Sequence, residues 1–308
     1  MLHKIVEKLG GQLYANGRKA NIPGPNHKRH DRSVSLIVGR NDRVIVCAHS
    51  PHDSWQSVLK YLKDENLISE DGRPLLNGPT YASPVTPLPD DAAKQAAVDR
   101  IWSAGHSLEG SLSERYIRRV RRVRRELPSV RSVLHGSAVP VSAYSDQCRY
   151  AHPAMIVKLE DERGKARGLE LHYLSNDGAL NGRLTIPRKT IGNYHEGWRA
   201  QIDDDAEEMV IATGFFSTLS ASRFFGLPCV SLLSDKNLRH WRPKPITRSL
   251  VIAADNDKPC MAAAAELVEN LRPYGLKVRI EVPPGGYNDF NDWEQDHRDD
   301  DIPLRRLP

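Results

Sequence analysis

Asp255 and Asp257 close an apolar run, SLVIAADND at 249–257, with a single asparagine between them. Two ionised carboxylates held that close repel unless a cation neutralises them, and an oxygen-only pair at a strand end suits a hard ion such as Mg²⁺ or Mn²⁺. An isolated Asp-Asn-Asp serves equally as a turn or a helix cap, because both residue types favour those positions. A second chemical feature is the segment ERYIRRVRRVRRE, with arginine at 115, 118, 119, 121, 122, 124 and 125. On a helix, Tyr116, Ile117, Val120 and Val123 face inward and arginine covers the remaining circumference. Such a surface is either a solvated helical face or a contact for nucleic-acid phosphates that weakens with salt and reads no sequence. Aromatic residues interleave poorly with these arginines, which argues against a base-stacking platform. Lys236, in LLSDKNL, joins Arg115, Arg118, Arg119, Arg121, Arg122, Arg124 and Arg125 as candidate phosphate contacts.

The elements that must position these groups follow from pattern. Residues 1–68 hold a helical opening segment ended by Gly10 and Gly11, two alternating stretches (SVSLIV, RVIVCAH) joined at Asn41-Asp42 as a hairpin, and an amphipathic segment from Ser54. Residues 69–90 are rich in Pro, Gly and Ser without period, which predicts a linker. Residues 91–205 are predicted as an α+β region: a helix from Asp91, an arginine-rich helix from Ser111 or Ser113, then alternating stretches forming an antiparallel sheet. From 206 to 298, short apolar strands (EMVIA, LPCVS, SLVIA, LKVRIEV) alternate with helical segments stopped by Gly226 and Gly275. That alternation predicts α/β architecture, a parallel sheet with helices on both faces, and a ligand site beyond the strands' carboxyl ends. Residues 299–308 form a tail.

Composition bounds the answer. The chain has 308 residues, 39% hydrophobic and 27% charged, with net charge +5 and a mean hydropathy of -0.53. No apolar run reaches the ~20 residues of a spanning helix, and no signal-peptide pattern opens the chain, so a cytoplasmic location without membrane association is expected. Cys47, Cys148, Cys229 and Cys260 form no CxxC pair, which argues against a disulfide framework or a complete cysteine zinc site. No G-x-x-x-x-G-K-[ST] motif occurs, so unwinding would need a separate helicase.

Taken in order, VIATGFFSTLSA, LLSDKNL, VIAADND, the alanine-rich helix and PPGGYNDFNDW resemble the Toprim domain of bacterial-type primases, topoisomerases and related nucleases, and especially phage and plasmid primase-like proteins. The resemblance implies that Asp255 and Asp257 bind Mg²⁺ and that Asp289 and Asp292 add carboxylates to the same edge. It implies RNA primer synthesis on single-stranded DNA from nucleoside triphosphates in mobile-element replication, beside a helicase or other replication protein. Two departures stand out: Thr213-Gly214 replaces the family's Glu-Gly, and threonine cannot take a proton near neutral pH. Cys260 stands where the family usually has glycine, an awkward exchange if that backbone needs positive φ. The order GPNHKRHD then VIVCAHS resembles the primase zinc module, of whose four ligand places Gly24 and Ser50 fill two and only His27 and Cys47 remain. Zinc wants four nitrogen or sulfur ligands, so a bound ion would require His49 or His52 as substitutes, and a module that has lost its metal is expected. The amphipathic segment after Ser54, Trp55 included, is expected to pack as core. Alternatives to primer synthesis are a Toprim nuclease and a catalytically inactive binding scaffold.

Overall fold

The computed structural model describes residues 1–14, 17–39, 41–50, 53–75, 90–127, 131–145, 148–193 and 197–297, so His52, residues 76–89 of the expected linker and the 299–308 tail lie outside the described residues. The chain divides into two compact units, Met1–Asp90 and Asp91–Pro308. Among the described residues no helix is long and apolar enough to cross a membrane.

The first unit opens with α1 (His3–Leu9), stopped by Gly10 at φ 84°. An antiparallel meander follows: β1 (Gln12–Tyr14), β2 (Lys19–Ile22), β3 (Val34–Val38) and β4 (Val44–Ala48), then α2 (Trp55–Asp64), which Ser54 caps by accepting the Ser57 amide. Leu36, Val58 and Leu62 are fully buried in its core. Trp55 departs from expectation: it is 54% exposed at the first residue of α2, although its spacing puts it on the same helical face as Val58 and Leu62. Both nitrogens of His27 meet carboxylates, Nδ1 at 2.5 Å from Asp31 and Nε2 at 3.1 Å from Asp53. A Cβ at Gly24 would lie 2.3 Å from Asp53 Oδ2, so the place of the first expected ligand is filled by that carboxylate. Cys47 is exposed, with its sulfur 4.0 Å from His49 Nδ1.

The second unit begins with α3 (Asp91–Ser103) and α4 (Leu112–Arg115), the latter capped by Ser111. The long arginine-rich helix predicted beyond it does not form. The chain widens into a π-helical turn at Tyr116–Val120 and leaves the helix altogether, with Arg122 at φ 51°. Like charges three and four residues apart disfavour a continued helix, and Arg118 Nη1 instead donates to the carbonyls of Val123 (2.9 Å) and Arg125. An antiparallel sheet follows in the order β5 (Val133–Pro140), β6 (Ala151–Glu160), β7 (Ala166–Tyr173) and β8 (Arg188–Gly192).

The remaining elements are β9 (Ala200–Gln201), β10 (Glu208–Ala212), α5 (Phe215–Phe225), β11 (Cys229–Ser231), α6 (Asp235–His240), β12 (Ser249–Ala253), α7 (Lys258–Leu271), β13 (Lys277–Glu281) and α8 (Phe290–Asp296). Their sheet runs β13-β12-β10-β11-β9, parallel except for the edge strand β9. Strands covered on both faces read as unbroken apolar runs, and Met209, Val210, Ile211, Leu250, Val251 and Ile252 are at most 1% exposed. Leu238 and Leu267, from α6 and α7, pack on one face; Phe224, Phe290 and Trp293, from α5 and α8, pack on the other. The second core continues into Tyr116, Ile117, Met155 and Val157, so the antiparallel region and the parallel sheet share it.

Candidate functional site

The parallel sheet reverses its winding at β10, whose neighbours are β11 on one side and β12 on the other, and a crevice opens outside the carboxyl ends of these strands. Thr213 follows β10, Asp235 follows β11 and Asp255 follows β12; with Asp257 and Asp289 they line a cleft of ≈ 400 Å³. Arg121, Glu170 and Arg188, from the π-helical turn's exit and the antiparallel sheet, line it as well. Neither Asp292 nor Lys236 is part of that lining.

Thr213, 6% exposed, donates from Oγ1 to Asp255 Oδ2 at 3.2 Å. Asp255 Oδ1 is buried and has no hydrogen-bond partner among the described residues. Burial, and then the charges of Asp289, Asp257 and Asp235, push the Asp255 carboxyl up to about 7, against the opposing Thr213 hydrogen bond. Asp235 is raised by burial and by Asp257. Asp292 is raised by burial and by Asp289, with Arg121 opposing.

Asp257 and Asp289 serve a second purpose. Asp257 caps α7, its Oδ1 accepting the Cys260 amide at 2.8 Å. Asp289 caps α8, its Oδ1 accepting the amides of Asn291 (2.7 Å) and Asp292 (2.9 Å). Capping and carboxylate clustering therefore coexist, and one oxygen of each aspartate stays outside the cap. Cys260 sits in the first turn of α7 and is not among the residues with positive φ, so the exchange from glycine carries no backbone strain. Its thiol is buried, accepts the Asp255 amide at 3.3 Å, and is pushed up to about 12 by burial.

Among the described residues no three His, Cys, Asp or Glu side chains converge closely enough to hold a metal ion. The donors present are nonetheless all oxygens, one of them an orphaned buried carboxylate oxygen. Mg²⁺ commonly binds through one or two carboxylates and retains water and substrate phosphates, so a closed protein cage is not required.

Several predicted phosphate contacts have structural partners instead. Arg122 Nη1 donates to the Gln295 carbonyl at 2.7 Å, Arg124 Nη2 donates to the His297 carbonyl, and Arg125 pairs with Asp203. Asn291 Nδ2 returns a 2.8 Å bond to the Arg121 carbonyl, so this segment fastens α8 to the antiparallel region. Arg115 and Arg119 are exposed, while Arg121 lies with its guanidinium 4.6 Å above the Phe216 ring.

Sequence reasoning missed Asp235 and the pair Glu170–His172. The signal for Asp235 was a Ser-Asp directly after an apolar strand of the parallel sheet. Glu170 is 4% exposed and His172 1% exposed; His172 Nε2 lies 2.6 Å from Glu170 Oε1, and Arg188 Nη2 donates to Oε2 at 3.2 Å. Burial opposes the charge, but His172 and Arg188 together hold the Glu170 carboxyl down at about 2.

No curated relative matches the sequence. Among solved structures, the Aquifex aeolicus primase (zinc-binding and RNA polymerase domains) is 15% identical with a TM-score of 0.45, covering 95% of this chain and 78% of that one. The DnaG primase catalytic domain bound to ssDNA is 15% identical with a TM-score of 0.45, covering 67% of this chain and 78% of that one. The primase fragment of the bacteriophage T7 primase-helicase protein is 15% identical with a TM-score of 0.35, covering 53% and 62% respectively. Residues 92–200 match the model of a domain of unknown function, DUF7146. Residues 208–300 match the model described as a Toprim domain. With the acidic strand ends at the winding reversal of a parallel sheet, that match identifies the C-terminal part of this chain as a Toprim domain.

Proposed function

We propose that the protein is a primase-like nucleotidyltransferase that makes short RNA primers on single-stranded DNA during mobile-element replication. The observation that carries this reading is the buried, unpartnered Asp255 Oδ1 among Asp235, Asp257 and Asp289 within a Toprim domain. An ionised carboxylate in that setting is stable only beside a cation. Asp255 and Asp257 would hold Mg²⁺ (or Mn²⁺), with Asp289 at the rim; Asp292 acts through Asp289. A bound divalent ion would neutralise and orient a triphosphate and offset charge developing on the transferred phosphorus. The chain's own residues do the rest: Thr213 keeps Asp255 Oδ2 oriented, Arg121 and Arg188 offer cations across the cleft, and exposed Arg115 and Arg119 hold template phosphates without reading bases. Strand separation falls to a partner helicase or replication protein.

The test is ribonucleotide incorporation on a single-stranded template with Mg²⁺, for the wild type beside Asp255→Ala. Metal-dependent primers lost in the variant support the reading; shortening of the template without added nucleotides would replace it with a nuclease. Thr213 favours a second reading, a binding scaffold, because it removes the carboxylate that would move a proton. Salt-dependent DNA binding unchanged in Asp257→Ala, with no chemistry at any metal concentration, would select the scaffold.

A further inference from the structure

Glu170 and His172 are an unusual use of a sheet face. Side chains two apart on a strand share a face, and Leu169, Leu171 and Tyr173 take the other one, packed with Val98 and Ile101 of α3. The register sets His172 opposite Arg188 and Glu170 opposite Thr190, so Glu170, His172 and Arg188 emerge on the same side. That side meets the start of α5: Phe216 lies edge-on to His172 at 5.6 Å and to Tyr116 at 5.5 Å, and carries Arg121 on its own face.

A buried ionised carboxylate costs several kcal/mol unless paired, and an apolar pair of similar volume would fill this space at less cost. Here each carboxylate oxygen has a different partner: Oε1 meets His172, Oε2 meets Arg188. The Arg188 side chain remains 53% exposed and lines the same cleft as Asp255, so its guanidinium is tethered to Glu170 at one nitrogen while much of the side chain stays open to solvent.

We infer that Glu170 and His172 are positioning residues that set the Arg188 guanidinium against the carboxylate side of the cleft, where it grips the polyphosphate of an incoming nucleotide. His172 fixes the carboxylate, the carboxylate fixes Arg188, and the Phe216 ring ties the same pair to Arg121. The inference rests on the nucleotidyltransferase reading for its consequence in turnover, but the grip on a polyphosphate stands by itself.

Two measurements separate these. Inorganic tripolyphosphate is titrated calorimetrically into the full chain with Mg²⁺, and KM and kcat for ribonucleotide incorporation are taken on the same variants. Glu170→Gln keeps the shape and loses the charge; tripolyphosphate affinity should fall about tenfold, with KM rising in parallel and kcat little changed, the scale of one charge-assisted hydrogen bond. His172→Ala should do the same, while His172→Gln, which places a donor near the lost Nε2, should restore most of the affinity. Arg188→Ala combined with Glu170→Gln should cost no more than Arg188→Ala alone. Additive losses, equal weakening by His172→Gln and His172→Ala, unchanged affinity in folded Glu170→Gln, or no tripolyphosphate binding by the wild type would each overturn the inference. If the wild type binds tripolyphosphate and the coupling holds but no nucleotide is incorporated, the primase reading fails and the positioning role survives.

Discussion

The Thr213 hydroxyl donates to Asp255 Oδ2 at 3.2 Å, so the position that resembles the family's glutamate holds a neutral donor here. A threonine lowers the carboxylate charge of the cleft and stabilises the ionised form of its neighbour. Thr213→Glu reverses both effects. Without divalent ions the variant should lose about 1–3 kcal/mol at neutral pH, measured by urea denaturation, through like-charge repulsion in a partly buried site. Added Mg²⁺ should return that stability, and primer synthesis should rise above the wild-type level.

Asp255 gives a pH dependence of defined sign. Burial and its acidic neighbours push its carboxyl up to about 7 in the folded chain, against an ordinary value of 3.8, so between these limits the folded chain holds a proton that the unfolded chain has released. Stability from this group therefore falls as pH rises through that window and is lowest above about 7. In a chelator, Asp255→Asn should flatten the slope between pH 5 and 8 and exceed the wild type at pH 8 by on the order of 4 kcal/mol, at about 1.4 kcal/mol per pH unit of displacement. Thermal melts across that range check it.

Asp203 holds Arg125 where both side chains are nearly buried, at 12% and 15% exposure, and also accepts the Cys229 amide at 2.8 Å. Asp203→Ala leaves a buried guanidinium uncompensated and should cost about 3–5 kcal/mol. The double variant with Arg125→Met should recover a large part of the loss, seen in the urea midpoint at unchanged slope.

Arg119 and Arg122 should behave oppositely although they are three residues apart. Arg119→Ala, at an exposed position, should lower the salt dependence of single-stranded DNA binding by about 0.7 in slope and leave the melting temperature unchanged. Arg122→Ala removes the bond to the Gln295 carbonyl and should cost about 1 kcal/mol of stability with the salt slope unaltered.

The parallel sheet was legible because its strands are covered on both faces and so read as apolar runs, with Gly226 and Gly275 in left-handed caps where the helical pattern stops. Asp255 was legible for the same reason: charge directly after such a run marks a strand's carboxyl end. β5 was not legible, because Gly136, Ser137 and Pro140 interrupt its alternation and the register shifts between Gly136 and Val139. The arginine segment misled because its apolar spacing favours a helix, whereas Arg118 bonds carbonyls within the segment and Arg122 and the Arg121 carbonyl bond Gln295 and Asn291 of α8, some 170 residues away in sequence. Glu170 and His172 alternate with Leu169, Leu171 and Tyr173, a pattern that predicts a solvent-facing side; Phe216 and Tyr116 cover that side instead, a contact no local pattern encodes. Trp55 shows the converse, a large aromatic in register with its helix's buried stripe that stays exposed at the helix's first residue.

Asp257 and Asp289 anchor helices on opposite faces of one sheet with one oxygen each, leaving the other outside the anchor. An ion gathered at the cleft would thereby tug on both layers at once, and its arrival should register as slowed hydrogen exchange at the amides of Cys260, Asn291 and Asp292. Alanine at either aspartate would conversely fray a helix start in the same stroke as it discards a ligand, so lost turnover in such variants reports anchorage and ligation together.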